Sequence, residues 1–385
     1  MIAYRLDPPR DAVLKKLHPI LSENIAPHAA AVDREARFPH EAVTALQEAG
    51  FGGLTVSAAF GGQGQSLRVA AAVVDHLAQH CASTAMVFMM HLCGVQCYLA
   101  APDRMAPHLR AAAAGRHLST LAFSEKGSRS QFWAPVSRAV ALDDHTVSLS
   151  AEKSWVTSAG HADGIVASAG SVDGTGATVY LLLKNDPGLS VGGPWDALGM
   201  RGNASSPMIC NSIALPLPDR ALCADGRGAD VMLGAALPVF LIGQAAIACG
   251  IAEAAFAATR SHIMGHSFAH LGSRLADLPN LRANLAEIRI QTDQARALLT
   301  FALDRLEAAA PDATLHLLSA KAGATEAAVR VTDLAMRTCG GAAFSRHLAL
   351  ERLFRDSRAA IVMAPTTDHL REFIGRLLVD LPLFG

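Results

Sequence analysis

Apolar residues recur at helical spacing through the first third of the chain, in Ala42, Val43 and Leu46 and again in Val69, Ala72, Val73 and Leu77. Few β-branched alternations interrupt them, so 10–114 is expected to be helical throughout. Phe38-Pro39-His40-Glu41 opens one helix, because proline suits a first turn and glutamate meets the positive end of the dipole. Ala49-Gly50-Phe51-Gly52-Gly53 closes it. Between 118 and about 225 the period shortens. Runs such as Ala139-Val140-Ala141-Leu142, Gly164-Ile165-Val166-Ala167-Ser168 and Val179-Tyr180-Leu181-Leu182-Leu183 read as strands. Asp143-Asp144 and Asp173-Gly174-Thr175-Gly176 supply the turns between them. After Pro216, Pro218 and Asp225-Gly226-Arg227-Gly228, long helices return at about 231–262, 276–308, 311–338 and 366–378. The expected class is α+β, with an N-terminal all-α domain over 1–117, a central β domain over 118–227 and a C-terminal helical bundle over 228–385.

At 385 residues the chain has room for two or three packed units. A formal net charge of -1 supplies no field to gather phosphate backbones or an anionic bilayer, so nucleic acid is not an expected partner. Seven scattered cysteines with no CxxC pair suggest neither a disulfide frame nor a zinc ribbon, and a reducing cytoplasm is the expected compartment. Tyr4, Arg5 and Asp7 stand where an export signal would need an apolar core. The run from Val231 to Ala252 is long enough to span a bilayer, but Pro238 interrupts it, Gln244 lies inside it and Glu253 follows it. It is expected to be a helix buried within a homodimer or homotetramer, with no membrane partner. His262, His266 and His270 recur every four residues, but no carboxylate or thiolate is nominated beside them, so no metal is expected.

Several motifs fall in order along nearly the whole chain. They begin with Phe38-Pro39, Glu48-Ala49-Gly50-Phe51-Gly52-Gly53-Leu54 and Ala59-Phe60-Gly61-Gly62-Gln63-Gly64. Ser124-Glu125-Lys126-Gly127-Ser128-Arg129-Ser130 and Ser154-Trp155-Val156-Thr157-Ser158 follow, then Gly340-Gly341, Arg355-Asp356 and Ala364-Pro365-Thr366-Thr367-Asp368. The series resembles the acyl-CoA dehydrogenase superfamily of flavoproteins. That resemblance implies an N-terminal helical domain, a central β-barrel or sandwich and a C-terminal four-helix bundle, with FAD rather than FMN as cofactor. It also implies that Ser124 and Ser130 contact flavin or substrate, that Trp155 packs along the isoalloxazine and that the Thr157 hydroxyl meets N5. Phe268 survives from the family's Arg-x-x-Phe-Gly, which binds the neighbouring subunit's flavin pyrophosphate, and Arg274 is the nearby cation. Arg337 stands where the family often has glutamine, and Gly340 and Gly341 match the pair beside adenine. Thr366 and Asp368, at a helix start, are expected on the ADP side. Arg129 and Gln131 depart from the glycine and aspartate of the family's flavin loop.

One departure changes the expected chemistry. Desaturating an acyl thioester requires a base for the α-proton, and the family's glutamate falls here at Ala364. The other place where some members carry it falls near Phe240. The leading expectation is therefore a monooxygenase or hydroxylase using reduced flavin and oxygen, with His91 as the group that manages a proton in a water-poor pocket. The alternatives are an acyl-CoA or acyl-carrier-protein dehydrogenase with a base relocated to Asp356, Asp368 or His369, and a non-catalytic flavin-binding assembly subunit. Expected partners are a small-molecule or acyl-thioester substrate and a flavin reductase or carrier protein.

Overall fold

The computed structural model describes residues 4–129, 131–270 and 272–384. Six helices come first: α1 Pro8–Ile20, α2 Ala29–Arg34, α3 His40–Glu48, α4 Leu67–His80, α5 Ala82–Leu99 and α6 Pro102–Ala113. Seven strands follow: β1 Ser119–Ala122, β2 Ala139–Asp143, β3 Thr146–Val156, β4 Gly164–Gly170, β5 Ala177–Leu183, β6 Leu189–Val191 and β7 Ser206–Pro216. The last third is helical: α7 Leu237–Gly265, α8 Pro279–Glu307, α9 Ala313–Cys339, α10 Gly341–Phe344, α11 Leu350–Ser357, α12 Ala359–Val362 and α13 Thr367–Leu378. A π-helical turn, Asp230–Ala236, leads into α7. Pro238 therefore occupies the first turn of an α-helix, where its missing N–H costs nothing, and does not interrupt one.

The strands form two sheets, β1-β4-β5 and β2-β3-β7-β6. In the first, β1 runs parallel to β4 and β5 antiparallel to it; the second is antiparallel throughout. Ile165, Ala167, Tyr180 and Leu182 face Val147, Leu149, Ile213 and Leu215 in a core between the sheets. Their neighbours Val166, Val179 and Leu181 point the other way, into the helices. Burial on both faces explains why β4 and β5 read as unbroken apolar runs, whereas β2, at the edge of its sheet, leaves Val140 and Leu142 exposed.

The two helical segments, far apart in sequence, share one core. Leu17 of α1, Val73 of α4, Met89 of α5, Ala248 of α7, Leu303 of α8, Val331 of α9 and Leu370 of α13 belong to a single buried cluster. Helix α5 and the first half of α7 are apolar on every side, and both helices are long and apolar enough to cross a membrane by composition, but both are largely enclosed by protein. Gly243 and Gly250 let α7 approach its neighbours: a Cβ at Gly243 would lie 2.1 Å from Met89 Cγ, and one at Gly250 would lie 2.3 Å from the Asp75 carbonyl. Charge fastens the same seam. Buried Asp75 accepts from Tyr4 Oη at 2.6 Å and from Arg296 Nε at 3.0 Å, and Arg68 meets Asp304 and Glu307, each at 2.7 Å. The N-terminal and C-terminal helices are thereby fixed against each other, and a cleft opens where they meet the sandwich.

Candidate active site

The cleft has a volume of about 890 Å³. Its walls are the 124–129 loop, the end of β3, the 195–200 loop, the start of α7 and the segment from Arg355 to Ala364. Ser124, Trp155 and Thr157 all line it. The reason is local at Trp155: the β3–β7 register slips between Lys153 and Val156, and Trp155 takes φ 59°, a left-handed conformation. Such a bulge re-aims a side chain out of its strand's alternation. The indole is left 68 % exposed, standing edge-on to Trp195 with ring centroids 5.8 Å apart. Thr157, by contrast, is buried, with Oγ1 3.0 Å from Ser205 Oγ.

The 124–129 loop rests on a buried ion pair. Glu125 meets Lys153, and its carboxylate also accepts from the Val136 and Ser137 N–H groups, each at 2.6 Å, and from the Ser137 hydroxyl. Burial opposes ionisation, but Lys153 and these donors outweigh it and hold the carboxyl below its ordinary value. Lys153 spends a further N–H on the Ser168 carbonyl, tying the loop to β4.

Around Trp155 the wall offers the hydroxyl-bearing Ser124, Thr157 and Ser205 and an exposed aromatic face, with Lys126 and Arg129 on the same loop as Ser124. This donor chemistry fits the isoalloxazine of FAD, which needs hydrogen-bond partners along one edge and a flat apolar contact. Ala364 and Phe240 both line the same cleft, so the two places expected for a proton acceptor converge in space, and both carry hydrocarbon. Among the described residues Glu125 is the one carboxylate in the wall, and it is committed to Lys153.

The relocated bases do not reach the cleft wall. Asp356 is buried and accepts from the Met200 N–H at 2.5 Å, and burial pushes its carboxyl up to about 6. The Asp368 side chain is 93 % exposed, 3.4 Å from Arg371. His369 packs between Trp133 and Phe373.

His91 is corrected. It is 2 % exposed and does not line the cleft. Its Nδ1 accepts from the Ser119 N–H at 3.1 Å, so Nε2–H donates to the Gly52 carbonyl at 2.8 Å. Burial lowers its pKa, keeping a neutral ring that joins α5 to β1 and to the Gly52 turn. An all-apolar helix offers no periodicity from which the facing of one histidine could be read.

Seven further residues lie outside this chain's cleft. Phe268 and Arg274 sit on the turn after α7, where the Phe268 N–H donates to the Ser273 carbonyl at 2.8 Å and exposed Arg274 pairs with Asp277 at 3.6 Å. Arg337 is exposed near the end of α9, and Gly340 follows at φ 57°. A Cβ at Gly341 would meet nothing within 4 Å, so nothing inside this chain requires glycine there. Thr366 caps α13, accepting from the His369 N–H, and Asp368 lies in its first turn. Ser130 lies outside the described residues. No group of three His, Cys, Asp or Glu residues is placed to hold a metal ion among those described.

Lys321 was missed. It is wholly buried on α9, donating to the carbonyls of Met363 at 2.8 Å and Pro365 at 2.6 Å, with Nζ 5.3 Å from the centre of the Phe240 ring. It clamps both sides of position 364 from behind the cleft, and burial pushes its ammonium down to about 7. The available signal was a lone cation in the apolar stretch Leu317-Leu318-Ser319-Ala320-Lys321-Ala322.

Comparison with known proteins follows the same division of the chain. Residues 8–102 match the acyl-CoA dehydrogenase N-terminal domain, 120–213 the middle domain and 226–379 the C-terminal domain. The chain is 26 % identical over 384 residues to the probable acyl-CoA dehydrogenase FadE25 of Mycobacterium tuberculosis, covering 98 % of this chain and 97 % of that protein. It is 28 % identical over 376 residues to the mitochondrial short-chain specific acyl-CoA dehydrogenase of Bos taurus, covering 96 % and 88 %. The butyryl-CoA dehydrogenase structure from Megasphaera elsdenii superposes with a TM-score of 0.91 at 23 % identity, covering 97 % of this chain and 99 % of that one.

Proposed function

Because the chain belongs to the acyl-CoA dehydrogenase family, whose members bind FAD, we propose that its cleft oxidises an apolar acyl substrate beside FAD without a carboxylate proton acceptor, in the oxygen-using mode of a hydroxylase. The observation that carries this reading is the pair of hydrocarbon side chains, Ala364 and Phe240, in the same cleft wall. When bound, FAD would accept or deliver two electrons, and Ser124, Thr157 and Trp155 are the residues to hold its ring. Met86, Met90, Leu121, Met232 and Phe240 give the acyl chain an apolar surface and exclude water. Lys321 keeps the 363–365 segment against that surface.

The names of the relatives support a second reading more directly, dehydrogenation of an acyl-CoA. In that case the α-proton must leave to water or to a group of the substrate, since the wall offers no free carboxylate among the described residues. The two readings separate at the bench. Under nitrogen, a panel of acyl thioesters is added to the oxidised holoprotein and the flavin band is followed. Oxygenation predicts no bleaching, and product only when flavin reduced by an external reductase meets oxygen. Bleaching by a thioester alone would overturn it in favour of dehydrogenation.

A further inference from the structure

The cleft carries unbalanced positive charge. Of the ionisable side chains in its wall, Glu125 is matched by Lys153, Lys126 by Glu152 at 3.1 Å, and Arg355 by Asp33 at 2.6 Å and Glu351 at 2.8 Å. Arg129 stands exposed at the mouth. Arg358 is different: it is half-buried and fixed in place, yet has no carboxylate in ion-pair contact among the described residues. Its guanidinium lies 3.6 Å from the centre of the Phe354 ring. Nη1 donates to Thr332 Oγ1 at 2.7 Å and to Ser357 Oγ at 2.6 Å, while Nε and Nη2 have no partner among the described residues. Burial lowers its pKa, with Asp333 pulling the other way.

A guanidinium partly withdrawn from water gains from a counter-ion, because the water it has lost is otherwise replaced only by weaker contacts. Here stacking and two hydroxyls orient the planar fork, and its remaining N–H groups form a preorganised pair of donors for an oxyanion. We propose that Arg358 is the anion-recognition residue of the cleft and that the substrate carries a carboxylate on its acyl chain or a phosphate on its thioester carrier. The inference rests on the reading that this cleft takes the substrate, but not on whether that substrate is oxygenated or desaturated.

The test uses the FAD-bound protein and measures binding through the perturbed flavin spectrum, without turnover. Three probes separate the sources of charge: the N-acetylcysteamine thioester of hexanoate, which is uncharged; that of adipate, with a carboxylate and no phosphate; and hexanoyl-CoA, with phosphates and no carboxylate. At least one charged probe is expected to bind about tenfold or more tightly than the neutral one, the equivalent of about 1.4 kcal/mol for a charge-assisted contact. Arg358→Met should remove that preference by weakening only the charged probe, with the uncharged N-acetylcysteamine thioester of hexanoate as the reference, and Arg358→Lys should keep part of it. Loss of the adipoyl preference identifies a carboxylate; loss confined to hexanoyl-CoA identifies the carrier phosphate. No preference in the unaltered protein, or a preference that survives in Arg358→Met, overturns the proposal. If the methionine variant fails to hold FAD, Arg358→Gln replaces it, and the wild-type preference alone remains decisive against. A protein that retains no flavin at all would sink the proposed function instead.

Discussion

Replacing Lys321 with methionine tests whether a cation is held in hydrocarbon behind the cleft. In the unfolded chain the ammonium has its ordinary pKa of 10.5; burial lowers it to about 7 in the fold. Folding therefore releases a proton between those values, so this group's stability cost is full below pH 7 and disappears as pH rises towards 10.5. The gap corresponds to about 5 kcal/mol in total, of which about 3 kcal/mol is relieved between pH 6 and pH 9. Methionine removes that cost at every pH but leaves the Met363 and Pro365 carbonyls without a donor, a loss of about 1–3 kcal/mol each that does not titrate. Relative to wild type, Lys321→Met should thus be least harmful near pH 6 and increasingly harmful towards pH 9. With unfolding entropy near ~2.1 cal/mol/K per residue, the Tm difference between the two proteins should move by about 4 °C across that range. Paired thermal melts of the FAD-free proteins at pH 6, 7, 8 and 9 read it directly. A Tm difference that stays constant from pH 6 to pH 9 would refute the reasoning, because it would mean that Lys321 keeps its charge throughout.

Three further outcomes are expected. Glu125→Gln leaves Lys153 as an uncompensated buried charge beneath the 124–129 loop and should destabilise the protein by about 3–5 kcal/mol, measured by denaturant unfolding, whether or not flavin is present. His91→Leu strands the Gly52 carbonyl and the Ser119 amide in the core; a loss of about 2–4 kcal/mol is expected with unchanged turnover per folded, flavin-bound molecule, and a selective loss of turnover would restore His91 to the chemistry. Ala364→Glu places a carboxylate in the cleft wall where the sequence resemblance expects the proton acceptor, and anaerobic bleaching by an acyl thioester should appear or accelerate by about tenfold or more. No change in the bleaching rate would separate position 364 from the reacting carbon.

The helix, strand, helix order, the long C-terminal helices to within a few residues, and the absence of a carboxylate at 364 and 240 were all legible in the sequence. Each follows from local periodicity or from the identity of a single residue. Ser124, Trp155 and Thr157 were legible too, through motif spacing, although the register slip that swings Trp155 into the cleft was not. What only the tertiary structure decided is which distant segments meet. The first and last thirds of the chain share one core, since stretches apolar on every side such as α5 and the first half of α7 can be satisfied only by being surrounded, and amphipathic pattern says nothing about the partner. That closure put Phe240 and Ala364 in one wall, turned His91 inward to two backbone groups, and left Arg358 in the cavity wall with no carboxylate in ion-pair contact among the described residues. Side-chain chemistry is written residue by residue, whereas its exposure depends on contacts between residues more than a hundred positions apart, and those are set by packing.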